Sequence, residues 1–454
     1  MTLRCSSSVW SLFMLLNAAD KALWRLALPM IFSNITVPLL GLVDTAVVGH
    51  LDSPVYLGGV AVGATATSFL FMLLLFLRMS TTGLTAQAYG AKDPQRLARA
   101  LVQPLILALA AGMLIVLFRM PLIDLALHIV GGSEAVLEQA RRFLEIRWLS
   151  APASLANLVL LGWLLGVQYA RAPVILLVVG NVLNIVLDLW LVMGLHMNVQ
   201  GAALATALSE YATFIIGLLM AKRVLALRGV TFAMLKEAWR GNMRRLLALN
   251  RDIMLRSLLL QLCFGAITVF GARLGSDVVA VNAVLMTMLT FTAYALDGFA
   301  YAVEAHSGQA YGARDGSQLL EVWRAACRQS GMVALAFALI YSVAGEHIIA
   351  LLTSIPSLQQ LADRYLFWQM ILPVIGVWCY LLDGMFIGAT RGAEMRNSMA
   401  VAAAGFAVML LSVPMLGNHG LWLALAVFLA LRGLSLALIW RRHWQRGTWF
   451  NSPS

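Results

Sequence analysis

The heptapeptide QAYGAKD occupies residues 87–93, and QAYGARD occupies residues 309–315, 222 positions later. Other matches keep nearly the same offset: HLDSPVYLGGVAV at 50–62 aligns with RLGSDVVAVNAVL at 273–285, and GWLLG at 162–166 with GMFIG at 384–388. The chain is an internal duplication. Both heptads end an apolar stretch and open a polar turn, Lys92–Asp93–Pro94 in one copy and Arg314–Asp315–Gly316 in the other. Gly90 and Gly312 read as turn or packing positions. No complete GxGxxG or Walker pattern surrounds them, so no nucleotide cofactor is expected.

The material that is duplicated is apolar. Of 454 residues, 61% are hydrophobic and 12% charged, and the mean hydropathy is +0.84. A soluble domain does not have this composition. Stretches long enough for the hydrocarbon core recur at 26–50, 56–80, 97–118, 146–169, 172–195 and 201–221, then at 253–274, 278–303, 329–345, 366–390, 397–416 and 420–440. A spanning segment must satisfy its backbone hydrogen bonds internally. The expected fold is therefore an all-α integral membrane protein with twelve transmembrane helices.

Six spans separate the two heptads, so both copies face the same side. Each half is then a six-helix bundle, and the halves are parallel repeats related by a pseudo-two-fold axis along the membrane normal, a transporter architecture. The sequence divides into a cytoplasmic N-terminal segment (1–25), a first bundle (26–221), a basic linker (222–252), a second bundle (253–440) and a cytoplasmic tail (441–454). Residues 1–25 resemble a secretory signal at Arg4 and the apolar run after it, but Asp20, Lys21 and Arg25 and a full span follow. An interfacial helix is the reading adopted, and Met14 is an alternative start.

Placing both termini in the cytoplasm assigns 24 of the 32 basic residues to inward segments, as the positive-inside rule requires. Topology thus accounts for the net charge of +11, and no nucleic-acid partner is implied. Arg78 and Arg432 fall within spans and read as snorkelling side chains. Cys5, Cys263, Cys327 and Cys379 have no paired spacing, so neither a disulfide framework nor a metal site is expected.

Acidic residues inside spans are costly and mark ion pathways. Here they are Asp44, Asp188, Glu210, Asp297, Glu304 and Asp383, and none has an acidic twin at the repeat offset. Asp44 lies six residues before His50, Asp188 eight before His196, and Thr206 five after Gly201. At about 1.5 Å per residue, all three sit roughly 8–12 Å inside the outer surface. Asn184 shares a helix face with Asp188, one turn deeper. Asp44, Asn184, Asp188 and Thr206 together offer oxygen ligands for a proton or a monovalent cation such as Na⁺. Glu210, one turn from Thr206, is a secondary candidate. His306 beside Glu304 reads as a packed side chain more readily than as a proton relay.

The segment VPLLGLVDTAVVGHL, the segment GNVLNIVLD and the GATRG after Asp383 resemble the multidrug and toxic compound extrusion (MATE) transporters, and specifically their DNA-damage-inducible (DinF) branch, over essentially the whole chain. The resemblance implies two six-helix bundles forming a V, and antiport of amphipathic, often cationic compounds against an entering cation. It also implies location in the bacterial inner membrane, a monomer, and no enzymatic activity. The family's coupling site uses an Asp in span 1, an Asn and an Asp in span 5 and a Thr in span 6, which fall on Asp44, Asn184, Asp188 and Thr206. A second-bundle cation site of some relatives maps to Asp383 with Tyr380, and Asp297 is a further candidate. Polar residues that some members carry ahead of the span 1 Asp are Val37 and Leu40 here. H⁺ is the expected coupling ion, with Na⁺ coupling as an alternative. A flippase of lipid-linked intermediates is the rival within the superfamily; it would want a cationic cavity, whereas six in-span acids stand against two arginines.

Overall fold

The computed structural model describes residues 16–51, 53–241 and 243–451, the side chains of 37–45 excepted. The described residues form helices and turns with no strand. Twelve long helical segments run in order: α1 (Ala18–Gly49), then α2 (Pro54–Gly90), α3 (Pro94–Leu117), α4 (Glu134–Gly166), α5 (Ala172–Gly194), α6 (Asn198–Leu227), α7 (Met243–Leu274), α8 (Ser276–Ala313), α9 (Gly316–Leu352), α10 (Pro356–Gly388), α11 (Gly392–Leu416) and α12 (Asn418–Arg446). Among the described residues, α2 to α12 are each long and apolar enough to cross a membrane. Side chains such as Leu219, Val343 and Leu351 are exposed on outward faces, as lipid contact favours.

The duplication is visible in the backbone. At the end of each heptad a non-glycine residue turns left-handed, Lys92 and Arg314, both at φ 54°. The next residue, Asp93 or Asp315, caps the following helix by accepting backbone N–H bonds, from Gln95 and Arg96 in one copy and from Gln318 in the other. The same geometry recurs after α4 and α10, where Gln168 (φ 64°) and Thr390 (φ 54°) lie 222 residues apart.

Helix packing repeats with the same offset. A Cβ on Gly162 would lie 2.6 Å from the Arg78 carbonyl oxygen, and one on Gly384 would lie 2.7 Å from that of Ala300. Gly166 approaches Thr85 and the Thr82 carbonyl as Gly388 approaches Ser307 and the Glu304 carbonyl. The glycines shared by GWLLG and GMFIG therefore let α4 press onto α2, and α10 onto α8. Without a hydrophobic drive between helices in lipid, this closeness is what holds them. The paired segments are the most buried in their halves: Leu77–Ala88 and Ala151–Gly166 in one, Phe299–Tyr311 and Leu381–Gly388 in the other.

The chain forms two compact units. One is Phe32–Ser257; the other is Leu258–Ser454 together with the N-terminal stretch through Ile31. The sequence placed a boundary near residue 26 and a separate segment before it, whereas the helix is continuous from Ala18 and its first turns pack with the second half. There Trp24 donates to Gln329 Oε1 at 2.9 Å and meets Phe299 edge-on at 4.9 Å. Arg328 bonds Asp20 at 3.1 Å, and the His306 ring is bonded to the Ala22 carbonyl, so that imidazole is a packed group. Residues 1–15, including Arg4, Cys5 and Met14, lie outside the described residues.

The linker is structured. A short helix, Phe232–Glu237, lies between α6 and α7. The tail is docked as well: Arg391 donates to the carbonyls of Thr448, Trp449 and Asn451, and Trp449 is buried against Phe386.

Candidate functional site: polar groups inside the bundles

In the Phe32–Ser257 unit, α5 and α6 pack side by side and carry three of the four expected ligands. Thr206 Oγ1 reaches Asn184 Oδ1 at 3.5 Å, the outer limit of a hydrogen bond, and the Ala202 carbonyl at 3.2 Å. Asp188 has no exposed surface. It is the last α-helical residue of α5, and a π turn, Leu189–Gly194, follows it directly. Such wide turns interrupt helices mainly where a side chain has a task. The turn is braced from α6, where a Cβ on Gly201 would stand 3.2 Å from the Leu191 backbone.

The structure thus joins Asn184 to Thr206 and buries Asp188 one turn along. The side chain of Asp44, with those of Val37, Pro38 and Leu40, lies outside the described residues. Burying a carboxylate in this setting disfavours its charge unless a cation or proton accompanies it.

Glu210, the secondary candidate, is held by two partners from the α4 side. Arg147 Nη2 bonds Glu210 Oε1 at 2.7 Å, and Ser150 Oγ bonds Oε2 at 3.1 Å. Beginning span 4 at 146 puts Arg147 at its outer end, but Ser133 caps α4 at Glu134, which carries Arg147 thirteen residues into the helix.

In the other unit, Arg432 Nη2 bonds Asp383 Oδ2 at 2.6 Å, with side chains only 4% and 10% exposed. The guanidinium also lies 6.0 Å from the Tyr380 ring centroid and 5.6 Å from that of Phe428. Arg432 therefore does not snorkel, and Asp383 and Tyr380 surround a cation that the chain itself supplies. Arg78 is likewise buried, with Nη1 on Thr82 Oγ1 at 3.3 Å. Asp297 is half-buried on α8 and Glu304 fully buried. Among the described residues no cluster of three or more His, Cys, Asp or Glu is placed to hold a metal.

Arg147, Ser150 and Arg432 are the residues sequence reasoning missed as partners. The one available signal was arithmetic: Glu210 and Arg432 are separated by the repeat offset of 222 and carry opposite charge.

Comparison with known proteins agrees with this architecture. The MatE family model matches twice, over residues 29–190 and 253–415. The chain is 85% identical over 435 residues to DNA damage-inducible protein F of Escherichia coli (strain K12), covering 96% of this chain and 95% of that one. It is 24% identical over 431 residues to the probable multidrug resistance protein NorM of Acinetobacter baylyi, covering 92% and 94% of the two. Among solved structures, one described as MATE in the bent conformation superposes with a TM-score of 0.82 at 24% identity, covering 96% of this chain and 98% of that one. The duplicated, twelve-helix chain belongs to the MatE family of membrane transporters.

Proposed function

We propose that the protein is a secondary multidrug efflux antiporter of the bacterial inner membrane, monomeric, with both termini in the cytoplasm. It exports amphipathic, often cationic compounds in exchange for H⁺ entering through Asp44, Asn184, Asp188 and Thr206. The observation that carries this reading is the fully buried Asp188 at the α-to-π junction of α5, one turn from the Asn184 and Thr206 pair. Protonation neutralises a carboxylate whose charge the interior disfavours. Proton and cationic cargo then compete for the same negative charge, so occupancy by one expels the other, a reciprocal coupling. Names given to relatives, such as probable multidrug resistance protein, support the substrate class.

Reconstitution into liposomes loaded with a fluorescent lipophilic cation tests the reading. Efflux under an imposed proton gradient supports it. Efflux under a sodium gradient alone reassigns the ion, and movement of neither sinks the antiport.

A further inference from the structure

Where α2, α3 and α7 come together in the Phe32–Ser257 unit, a cavity of about 230 Å³ is lined by Gln87, Arg96, Arg99, Gln103 and Arg245 with apolar neighbours. Arg96, Arg99 and Gln103 share one face of α3, and Arg245 comes from the first turn of α7. None of the lining residues is acidic. Asp93, the nearest carboxylate in sequence, is engaged in capping the backbone of Gln95 and Arg96. Among the described residues none of the three arginines forms a salt bridge.

Two features distinguish this cavity from an ordinary basic surface. Gln103 is 5% exposed, and its Nε2 has no hydrogen-bond partner among the described residues, a state that costs free energy unless a ligand relieves it. The wall beside it is bare: a Cβ on Gly241 would stand 2.9 Å from that nitrogen and 3.2 Å from Arg99 Nε.

Three guanidinium groups and an amide N–H₂ present donors from two helices, and like charges gathered this closely repel one another until an anion separates them. A flat carboxylate offers two oxygens in one plane. A tetrahedral phosphate offers acceptors in several directions and pairs with guanidinium forks. We propose that the cavity binds a phosphate group, either as the headgroup of an anionic phospholipid or as a free phosphate. Basic pockets between membrane helices recognise headgroups in this way.

The test uses the full chain purified in detergent. Cardiolipin and phosphatidylcholine are titrated by native mass spectrometry, and inorganic phosphate by thermal unfolding. Wild-type protein is expected to retain cardiolipin over phosphatidylcholine, or to be stabilised by inorganic phosphate; the first result identifies the lipid, the second the free ion. Arg99→Gln and Arg245→Gln are each expected to weaken that binding about tenfold, and Gln103→Glu to abolish it. Arg244→Gln, which removes the same charge just outside the cavity, is expected to leave it unchanged. Should neither probe bind wild-type protein, or should Arg99→Gln, Arg245→Gln and Arg244→Gln weaken binding equally, the cavity is not a phosphate site.

Discussion

Glu210 and Arg432 stand 222 residues apart on the sixth helix of each half, carry opposite charge, and are each neutralised from the fourth helix of their own half, Glu210 by Arg147 and Arg432 by Asp383. The equivalent positions carry charges of opposite sign, and the partners come from positions that are not equivalent, since Arg147 corresponds to Gln369 and Asp383 to Leu161 at the repeat offset. An ion pair inside a bundle is sensitive to removal of one member, because the other is left buried and uncompensated.

Arg432→Met alone is therefore expected to destabilise the protein by about 3 kcal/mol or more. Adding Asp383→Leu should restore much of that loss, since two apolar side chains leave no orphaned charge. Denaturation in mixed micelles measures both, and equal stability of the single and double variants would contradict the account.

Gly162→Ala and Gly384→Ala are expected to cost similar amounts, about 1–3 kcal/mol each. Each new methyl group would meet a backbone carbonyl at 2.6 or 2.7 Å, and backbone cannot rotate aside as a side chain can. Thermal unfolding of the two variants compares them directly, and a neutral effect at either position would show that its helix pair is more loosely seated than described.

Asp188→Asn is expected to abolish gradient-driven efflux while leaving membrane insertion intact, because the amide cannot exchange a proton yet fills the same volume. Thr206→Val should weaken transport less severely, as Thr206 contributes a neutral oxygen beside Asn184. Initial efflux rates in proteoliposomes decide; full activity of Asp188→Asn would remove the carboxylate from the mechanism.

Arg391→Gln is expected to release the C-terminal segment, since that guanidinium holds three of its carbonyls and lies 5.0 Å from the Trp449 ring. Limited trypsin digestion should then cut after Arg446 several times faster than in the parent chain, while the bundles stay intact. An unchanged cleavage rate would mean that the buried Trp449 docks the segment unaided.

Much of the fold could be read from the sequence because its signals are local or periodic. Apolar length gave the spans, and the paired heptads gave the duplication. Sequence position could set Asp188 and Thr206 at a similar depth and Asn184 on the face of Asp188, but the contact of Thr206 with Asn184 belongs to the packing of α5 against α6. What escaped were pairings between distant helices. Arg147 with Glu210 and Asp383 with Arg432 are separated by 63 and 49 residues, and no spacing rule joins them. Hydropathy also began span 4 late, since the amphipathic first turns of α4 contain six charged residues in Glu134–Arg147. The attachment of Trp24 to Gln329 was equally hidden, because a short helix start carries no mark of which half it will pack against.

The left-handed residues near the end of the two heptads are lysine and arginine, where glycine would fit the turn with less strain. A side chain in that conformation costs about 1 kcal/mol. Glycine would spare it but would carry no cation, and cations hinder passage of a hairpin through the bilayer during biosynthesis. Both copies therefore hold a strained backbone and a positive charge at one and the same residue.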